Sequence, residues 1–273
     1  MMSSDDMNAG GGPSTDRARS LLKEAQRVCV LTGAGVSAES GVPTFRGDGG
    51  LWKSHRAEDL ATPGAFRRDP RLVWEWYDWR RSLIADCRPN PGHEVLAGFS
   101  LTPEPDVTLV TQNVDGLHEK AVRDAAGGSA VPEAALPLEL HGSIFRVKCT
   151  SCTYGARHRD PIDTDSEESL PRCPVCSSLL RPAVVWFGEG LDPQVLDDAF
   201  QAARRADVCI VAGTSAVVQP AASIPLVTLE RGGSVVEVNP DETPLTARAA
   251  VSLRGPSGEI LPELLSDLAG SGT

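Results

Sequence analysis

The chain has 273 residues, 41% of them hydrophobic, and a formal net charge of −11; that is enough chain for one large domain or one domain with an insertion. So acidic a balance argues against a nucleic-acid groove as the main business, although a local basic patch remains compatible with it. No stretch approaches the apolar length of a membrane span, and Met1 to Asp16 hold three aspartates and no apolar core, so neither a secretory signal nor an Arg-rich transit peptide is expected.

In chain order, residues 1–15 are rich in Gly, Ser and Asp and read as a disordered tail. From Asp16, the pattern Ala18, Leu21, Leu22, Ala25 makes a short amphipathic helix that feeds an apolar strand, Val28 to Leu31. That strand ends in Gly33-Ala34-Gly35-Val36-Ser37-Ala38. A strand running into Gly-x-Gly-x-x-Ala predicts a tight turn and a helix start whose backbone N–H groups face a phosphate. The ordinary dinucleotide fingerprint then wants a second strand with an acidic residue about 20 positions on. Here that region is Pro43-Thr44-Phe45-Arg46-Gly47-Asp48-Gly49-Gly50, whose proline and glycines exclude a central strand. A Gly-flanked loop carrying Phe45 and Arg46 takes its place, with a plain surface Ω-loop as the other reading.

Asp69-Pro70 predicts a helix start, the helix running to about Asp86. Val73, Tyr77, Arg80 and Ile84 share one face, which puts an arginine on an inward stripe where it needs an acceptor. Alternatively Trp79 and Arg81 mark the stripe and Arg80 reaches solvent. Further apolar strands are expected at 107–111, 206–212 and 234–238, with helices at about 193–205 and 221–230 between them. They close on Gln112 to His118, on Gly213-Thr214-Ser215 and on Asn239-Pro240-Asp241. This β–α alternation predicts an α/β fold: a Rossmann-like, doubly wound parallel sheet covered on both faces. Polar residues just past the carboxyl ends of such strands are where these sheets bind ligands. The Gly33 turn suits a pyrophosphate, and the loops at Gly213 and Asn239 suit a ribose and adenine.

Between the second and third strands lies an insertion of different character. Cys149-Thr150-Ser151-Cys152 and Cys173-Pro174-Val175-Cys176 are separated by twenty residues, a spacing that predicts a tetrahedral structural zinc. Four thiolates leave no position for a catalytic water; a redox-active dithiol is the lesser alternative. The lobes are expected at about 16–48, 85–140 and 183–273 for the sheet, and at about 49–84 and 142–182 for a small zinc-binding lobe. With seven cysteines in all, a disulfide framework is not expected and a reducing cytosol fits better. Cys29 and Cys209, inside apolar runs, read as core.

Residues Gly33 to Arg46 resemble the cofactor-binding signature of the sirtuins, the NAD-dependent protein-lysine deacylases. The resemblance continues in order through Gln112-Asn113-Val114-Asp115, His141-Gly142, both cysteine pairs and Gly213-Thr214-Ser215, over about Ala18 to Leu264. It implies that NAD is consumed and not reduced, yielding nicotinamide, free lysine and O-acyl-ADP-ribose. His141 would be the general base, taking a proton from a ribose hydroxyl; Gln112 and Asn113 would handle the nicotinamide ribose, and Asp115 its carboxamide. The implied cofactor set also takes in Gly33, Ala34, Gly35, Ser37, Phe45, Arg46, Trp52, Val114, Gly213, Thr214, Ser215, Asn239, Pro240 and Asp241, with Ser257 at the adenine end. Taken alone, His141 reads equally as a turn residue, with His118 as its competitor; the family pattern decides for His141.

The same resemblance implies a substrate side. Val184 to Glu189, with Val185, Phe187, Gly188 and Glu189, resembles the segment that pairs with the backbone of an acyl-lysine peptide. Trp186 and Phe187 read equally as core between the lobes. Tyr77-Asp78-Trp79-Arg80 resembles the Tyr-x-x-Arg of the class III sirtuins, which remove succinyl, malonyl and glutaryl groups; Ala57 matches a small residue that widens the acyl pocket there. An arginine fork and a phenol on one helical face suit a terminal carboxylate, with acetyl removal alongside. Other readings of the fold are a mono-ADP-ribosyltransferase, opposed by His141 and the carboxylate clamp, and a non-catalytic NAD-sensing module, opposed by the intact motifs. A hydride-transferring dehydrogenase is opposed by the missing second strand. The expected partners are acyl-lysine proteins or peptides, with no nucleic acid and no membrane; oligomeric state is not readable.

Overall fold

The computed structural model describes residues 12–43, 51–53 and 55–268. In chain order the elements of the first half are α1 (Pro13–Glu24), β1 (Arg27–Thr32), α2 (Ala34–Ala38), β2 (Leu51–Trp52), β3 (His55–Arg56), α3 (Ala57–Leu60), α4 (Pro63–Arg68), α5 (Pro70–Ala85), α6 (Pro91–Leu101), β4 (Asp106–Thr111), α7 (Leu117–Ala125) and β5 (Leu138–Glu139). They are followed by β6 (Gly142–Cys149), β7 (Gly155–Arg157), β8 (Leu180–Val184), α8 (Pro193–Arg205), β9 (Val208–Ala212), α9 (Ile224–Glu230), β10 (Ser234–Val238), β11 (Val251–Leu253) and α10 (Ser257–Leu265).

Six strands form one sheet in the order β11-β10-β9-β1-β4-β5, and every neighbouring pair is parallel. Alternation along the strands sends side chains to opposite faces. Val28 and Val30, with Ile210 and Val236, pack under α1, α6 and α10 through Leu22, Phe99 and Leu264. Cys29 and Leu31, with Cys209 and Val211, face α8 and α9 through Ala199, Ala203 and Ile224. The doubly wound sheet is therefore covered on both sides, and both cysteines are core. Two edge strands, β5 and β11, add to the four apolar runs; at two and three residues they carry too little periodicity to be read.

A second unit packs beside the carboxyl ends of the strands. Its sheet is antiparallel, in the order β7-β6-β8. Val73, Trp74, Tyr77 and Ile84 of α5 pack with Phe66, Ile144, Phe145, Leu180 and Trp186 in one core. The same core holds Val184, so the small unit runs a few residues beyond the expected limit at 182. Helix α5 begins as read: the Asp69 carboxylate accepts the Leu72 amide at 2.8 Å, with Pro70 in the first turn. Arg80 and Arg81 are both buried while Trp79 is exposed, so the stripe through Tyr77 and Arg80 looks inward and Arg81 is enclosed as well.

Two boundaries differ from the sequence reading. Helix α1 starts at Pro13, with proline in its first turn, so residues 13–15 belong to the helix and not to the tail; residues 1–11 lie outside the described residues. The helix expected at 221–230 opens as a 3-10 turn, Ala221–Ser223, and becomes α-helical as α9, with proline in its first turn. Charges tie the units together. Glu119 of α7 pairs with Arg123 at 2.7 Å, with Arg157 of β7, and with Arg146 of β6 at 3.8 Å. Arg146 also stands 3.2 Å from Glu139.

Candidate functional site

Between the two units opens a cleft of about 500 Å³, within the usual range for a small-molecule or cofactor site. The carboxyl ends of β1, β4 and β9 form one wall, with Gly33, Ala34, Gly35, Ser37, Gln112, Asn113, Val114, Asp115, Gly213, Thr214 and Ser215. Tyr77, Arg80, Val185, Phe187, Gly188 and Glu189 form the other, and His141 lies between them. Two walls from two packing units meet at the switch in strand order, beside β1, where open α/β sheets hold their ligands.

The Gly33 turn and the Gly213 turn are fitted backbone to backbone. The Gly35 amide donates to the Gly213 carbonyl at 2.8 Å, and the Gly33 amide to Ala212 at 3.0 Å. A Cβ on Gly35 would stand 2.8 Å from the Gly213 Cα, and one on Gly213 would stand 2.4 Å from the Val36 nitrogen. Gly213 also has φ +60°, a conformation that favours glycine. The expectation of free amides in the turn is therefore corrected for Gly33, Gly35 and Val36, whose N–H groups are taken within the protein. Side chains from β4 knit the turns further. Gln112 Nε2 donates to Thr214 Oγ1 at 3.0 Å, and Asn113 Nδ2 to the Gly33 carbonyl and to Ser37 Oγ, both at 3.1 Å.

His141 Nδ1 lies 2.9 Å from the Gln112 carbonyl. A carbonyl only accepts, so Nδ1 carries the hydrogen and Nε2 keeps its lone pair. Burial lowers the His141 pKa from 6.5, and the hydrogen bond to Gln112 opposes that, so the ring is neutral and basic at neutral pH. His118 is placed differently. It is buried at 2% exposure against Thr32 Oγ1, 2.9 Å away, and beside the His93 ring at 4.6 Å. Burial and the His93 charge hold it well below the ordinary value, as a core residue outside the cleft walls. Asp115 is also buried; its carboxylate accepts the Leu117 amide at 2.9 Å, and burial raises its pKa against the pull of that hydrogen bond, Ser37 and Arg80.

On the opposite wall, Trp186 Nε1 donates to the Tyr77 hydroxyl at 2.9 Å. Burial raises the Tyr77 phenol and lowers Arg80, whose charge is favoured by Tyr77 and Asp115. Glu189 forks onto Arg181 at 2.5 and 2.9 Å and accepts the Trp186 amide at 2.9 Å. Trp186 is buried, but Phe187 is 54% exposed, so the reading of Phe187 as core is corrected: its side chain faces out while its amide donates to Ala61 at 2.9 Å.

Cys149, Cys152, Cys173 and Cys176 bring their sulfurs within 4.8 Å of one another, with individual separations of 3.4 and 3.6 Å. Four sulfurs about 2.3 Å from one ion at tetrahedral angles lie roughly 3.8 Å apart, so this donor set fits a closed structural zinc.

Several sequence-derived positions do not reach the cleft. Trp52 packs against Trp79 on a tilted contact at 6.1 Å, under the Lys53 ammonium. Asn239, Pro240 and Asp241 stand at the end of β10, one strand beyond, where Asn239 Nδ2 donates to the Asp241 carbonyl. Ser257 is buried at the start of α10. Ala57 is buried in the small-unit core; Ala61, one turn on, lines the cleft instead. Phe45 and Arg46 lie outside the described residues. Glu58, Leu191, Val218 and Gln219 line the cleft without having been singled out. The one sequence signal was for Ala61, a small residue at i+4 from Ala57.

These features define an α/β protein with a cleft suited to a nucleotide and a second lobe whose four thiols fit a structural metal. A Sir2 family model matches residues 33–220. The chain is 50% identical over 251 residues to the NAD-dependent protein deacylase of Thermococcus kodakarensis, covering 91% of this chain and 93% of that protein. Among solved structures it resembles a Sir2 homolog–NAD complex, at 45% identity and TM-score 0.82, covering 97% of this chain and 98% of that one. It also resembles a Sir2–p53 peptide–NAD+ complex, at 31% identity and TM-score 0.76, covering 91% and 95%. The chain belongs to the Sir2 family. The cleft fits the NAD such proteins use: side-chain-free turns where a pyrophosphate would lie, and amide and carboxyl groups at Gln112, Asn113 and Asp115 for ribose and carboxamide.

Proposed function

We propose that this protein is an NAD-dependent protein-lysine deacylase that prefers acidic acyl groups, succinyl or malonyl, with acetyl groups also accepted. Family membership and the deacylase relatives at about 50% identity support the general activity. The acyl preference rests on one observation: Tyr77 and Arg80, both buried, line the same cleft as His141. A buried arginine fork beside a protonated phenol matches a terminal carboxylate.

NAD supplies an electrophilic ribose carbon when nicotinamide departs. The chain's own residues do the rest. Gln112 and Asn113 orient the ribose from the end of β4, and Asp115 receives the carboxamide. His141 takes a ribose hydroxyl proton at Nε2, its ring held in the right tautomer by the Gln112 carbonyl. The acyl-lysine peptide lies along Val185 to Glu189 and pairs through its backbone, so sequence preference is weak; a peptide complex among the structural relatives supports this side of the cleft. The absence of a disulfide among the seven described cysteines supports a reducing cytosol as its compartment.

The test is a side-by-side rate assay with NAD on one peptide carrying acetyl-lysine or succinyl-lysine, following O-acyl-ADP-ribose by mass. Succinyl rates well above acetyl rates are expected. Acetyl preference would sink the carboxylate clamp and keep the enzyme class; transfer of ADP-ribose to protein without deacylation would shift the reading to a mono-ADP-ribosyltransferase.

A further inference from the structure

We infer that Trp186 is a positioning residue for acyl selection: its indole N–H occupies the Tyr77 oxygen from behind, so that the phenol's single proton is aimed into the acyl pocket. The inference rests on the proposed acidic-acyl reading. An indole nitrogen is a donor only, so the 2.9 Å contact between Trp186 Nε1 and the Tyr77 hydroxyl makes Tyr77 the acceptor. A phenolic proton lies near the ring plane, on one side of the oxygen or the other. With one side filled by a donor, the proton turns to the other. Tyr77 borders the cleft and is 4% exposed, and among the described residues no acceptor takes that proton. Burial keeps the phenol protonated. A carboxylate arriving beside Arg80 is the acceptor this arrangement suits, and a hydroxyl already turned towards it loses no rotational freedom on binding.

The indole itself is prevented from turning. The Arg181 guanidinium lies 3.2 Å from its ring centre, and the Phe66 ring stands 5.3 Å away on a tilted contact. Glu189 clamps both partners at once, forking onto Arg181 and accepting the Trp186 amide. Arg181 donates in addition to the Val184 carbonyl at 2.9 Å. The chain Glu189–Arg181–Trp186–Tyr77 thus joins the segment assigned to the peptide backbone to the floor of the acyl pocket. One residue, Trp186, belongs to both.

The experiment measures kcat and KM for succinyl and acetyl peptides in the wild type, Trp186→Phe, Tyr77→Phe and the double variant. Phenylalanine keeps an aromatic ring under Arg181 and removes the donor together with part of the indole's volume. Trp186→Phe is expected to raise KM for the succinyl peptide about tenfold more than KM for the acetyl peptide, the scale of one hydrogen bond to a charged acceptor, with the ratio of the two kcat values kept. On the Tyr77→Phe background it should add nothing further, because Trp186 acts through the hydroxyl. Equal losses on both peptides, no loss on either, or full additivity in the double variant would each overturn the inference. If Trp186→Phe lowers Tm markedly, site-specific benzothienylalanine, which keeps the fused ring and lacks the N–H, gives the same readings. A wild type that favours acetyl peptide removes the acidic-acyl reading itself, an outcome separate from any variant's behaviour.

Discussion

The sheet lobe and the small lobe are built by different means. In the first, aliphatic side chains alternate across six parallel strands and are covered on both faces by helices. The second has three short antiparallel strands, an aromatic core around Trp74, Trp76 and Trp186, and four thiols that gather at one end. A large doubly covered sheet holds its loops without outside help, whereas a three-stranded sheet depends on a staple. The difference also divides the work. The groups suited to NAD stand on the sheet lobe, and those suited to the acyl group and peptide stand mainly on the small lobe. Selectivity should therefore fail separately from basic chemistry.

The largest effect should come from the staple. Chelation or Cys173→Ser is expected to melt the small lobe while the parallel sheet persists, read as a separate low-temperature transition with loss of all peptide activity. A single unchanged melting curve would contradict it. Next, His141→Ala should cut turnover on every acyl peptide by at least about 100-fold, with NAD binding, measured by calorimetry, largely kept; turnover near normal would remove His141 from the base role. Because burial lowers its pKa, the acid limb of the rate profile should lie below 6.5, the ordinary histidine value. Arg80→Met should be narrower still, costing about tenfold or more on succinyl peptide and little on acetyl; equal losses would make Arg80 merely structural.

The smallest expected effect lies where the lobes join. Burial raises Glu139 to about 7, with Glu119 and Asp115 pushing the same way and Arg146 opposing. The native state therefore holds this proton more tightly than the unfolded chain. Its contribution is complete below the unfolded value of 4.5 and fades as pH rises through 7. Glu139→Gln should flatten that decline, seen as a smaller fall in Tm between pH 5 and pH 8. An unaltered slope would place the pH response elsewhere.

The same division explains what could be read from sequence. The four inner strands were legible because each is a run of apolar residues ending in glycine or a polar turn, as at Val28 to Gly33. The edge strands Leu138–Glu139 and Val251–Leu253 were not, since each pairs on one side only and is too short for a pattern. Asp69-Pro70 announced α5, and both Tyr77 and Arg80 fell on its inward face. The site was legible where a loop follows directly on a strand, at Gly33, Gln112 and Gly213. It was less so where position depends on how a short helix sits against another lobe. Ala57 and Ala61 are one helical turn apart and chemically identical, and only packing decides that Ala61 reaches the cleft. Likewise, the pairing of the Gly33 and Gly35 amides depends on a partner turn about 180 residues away.

That pairing of Gly35 with Gly213 constrains what the chain can become. Most crowded contacts in a protein can be relieved by trimming a neighbouring side chain, so a damaging change at one position has a repairing change at another. Here the obstacle on each side is main chain: the Gly213 Cα for Gly35, and the Val36 nitrogen for Gly213. No choice of residue at either position makes room for the other, so the two sites have no compensating partner. In a library randomised at both, surviving sequences should carry glycine twice.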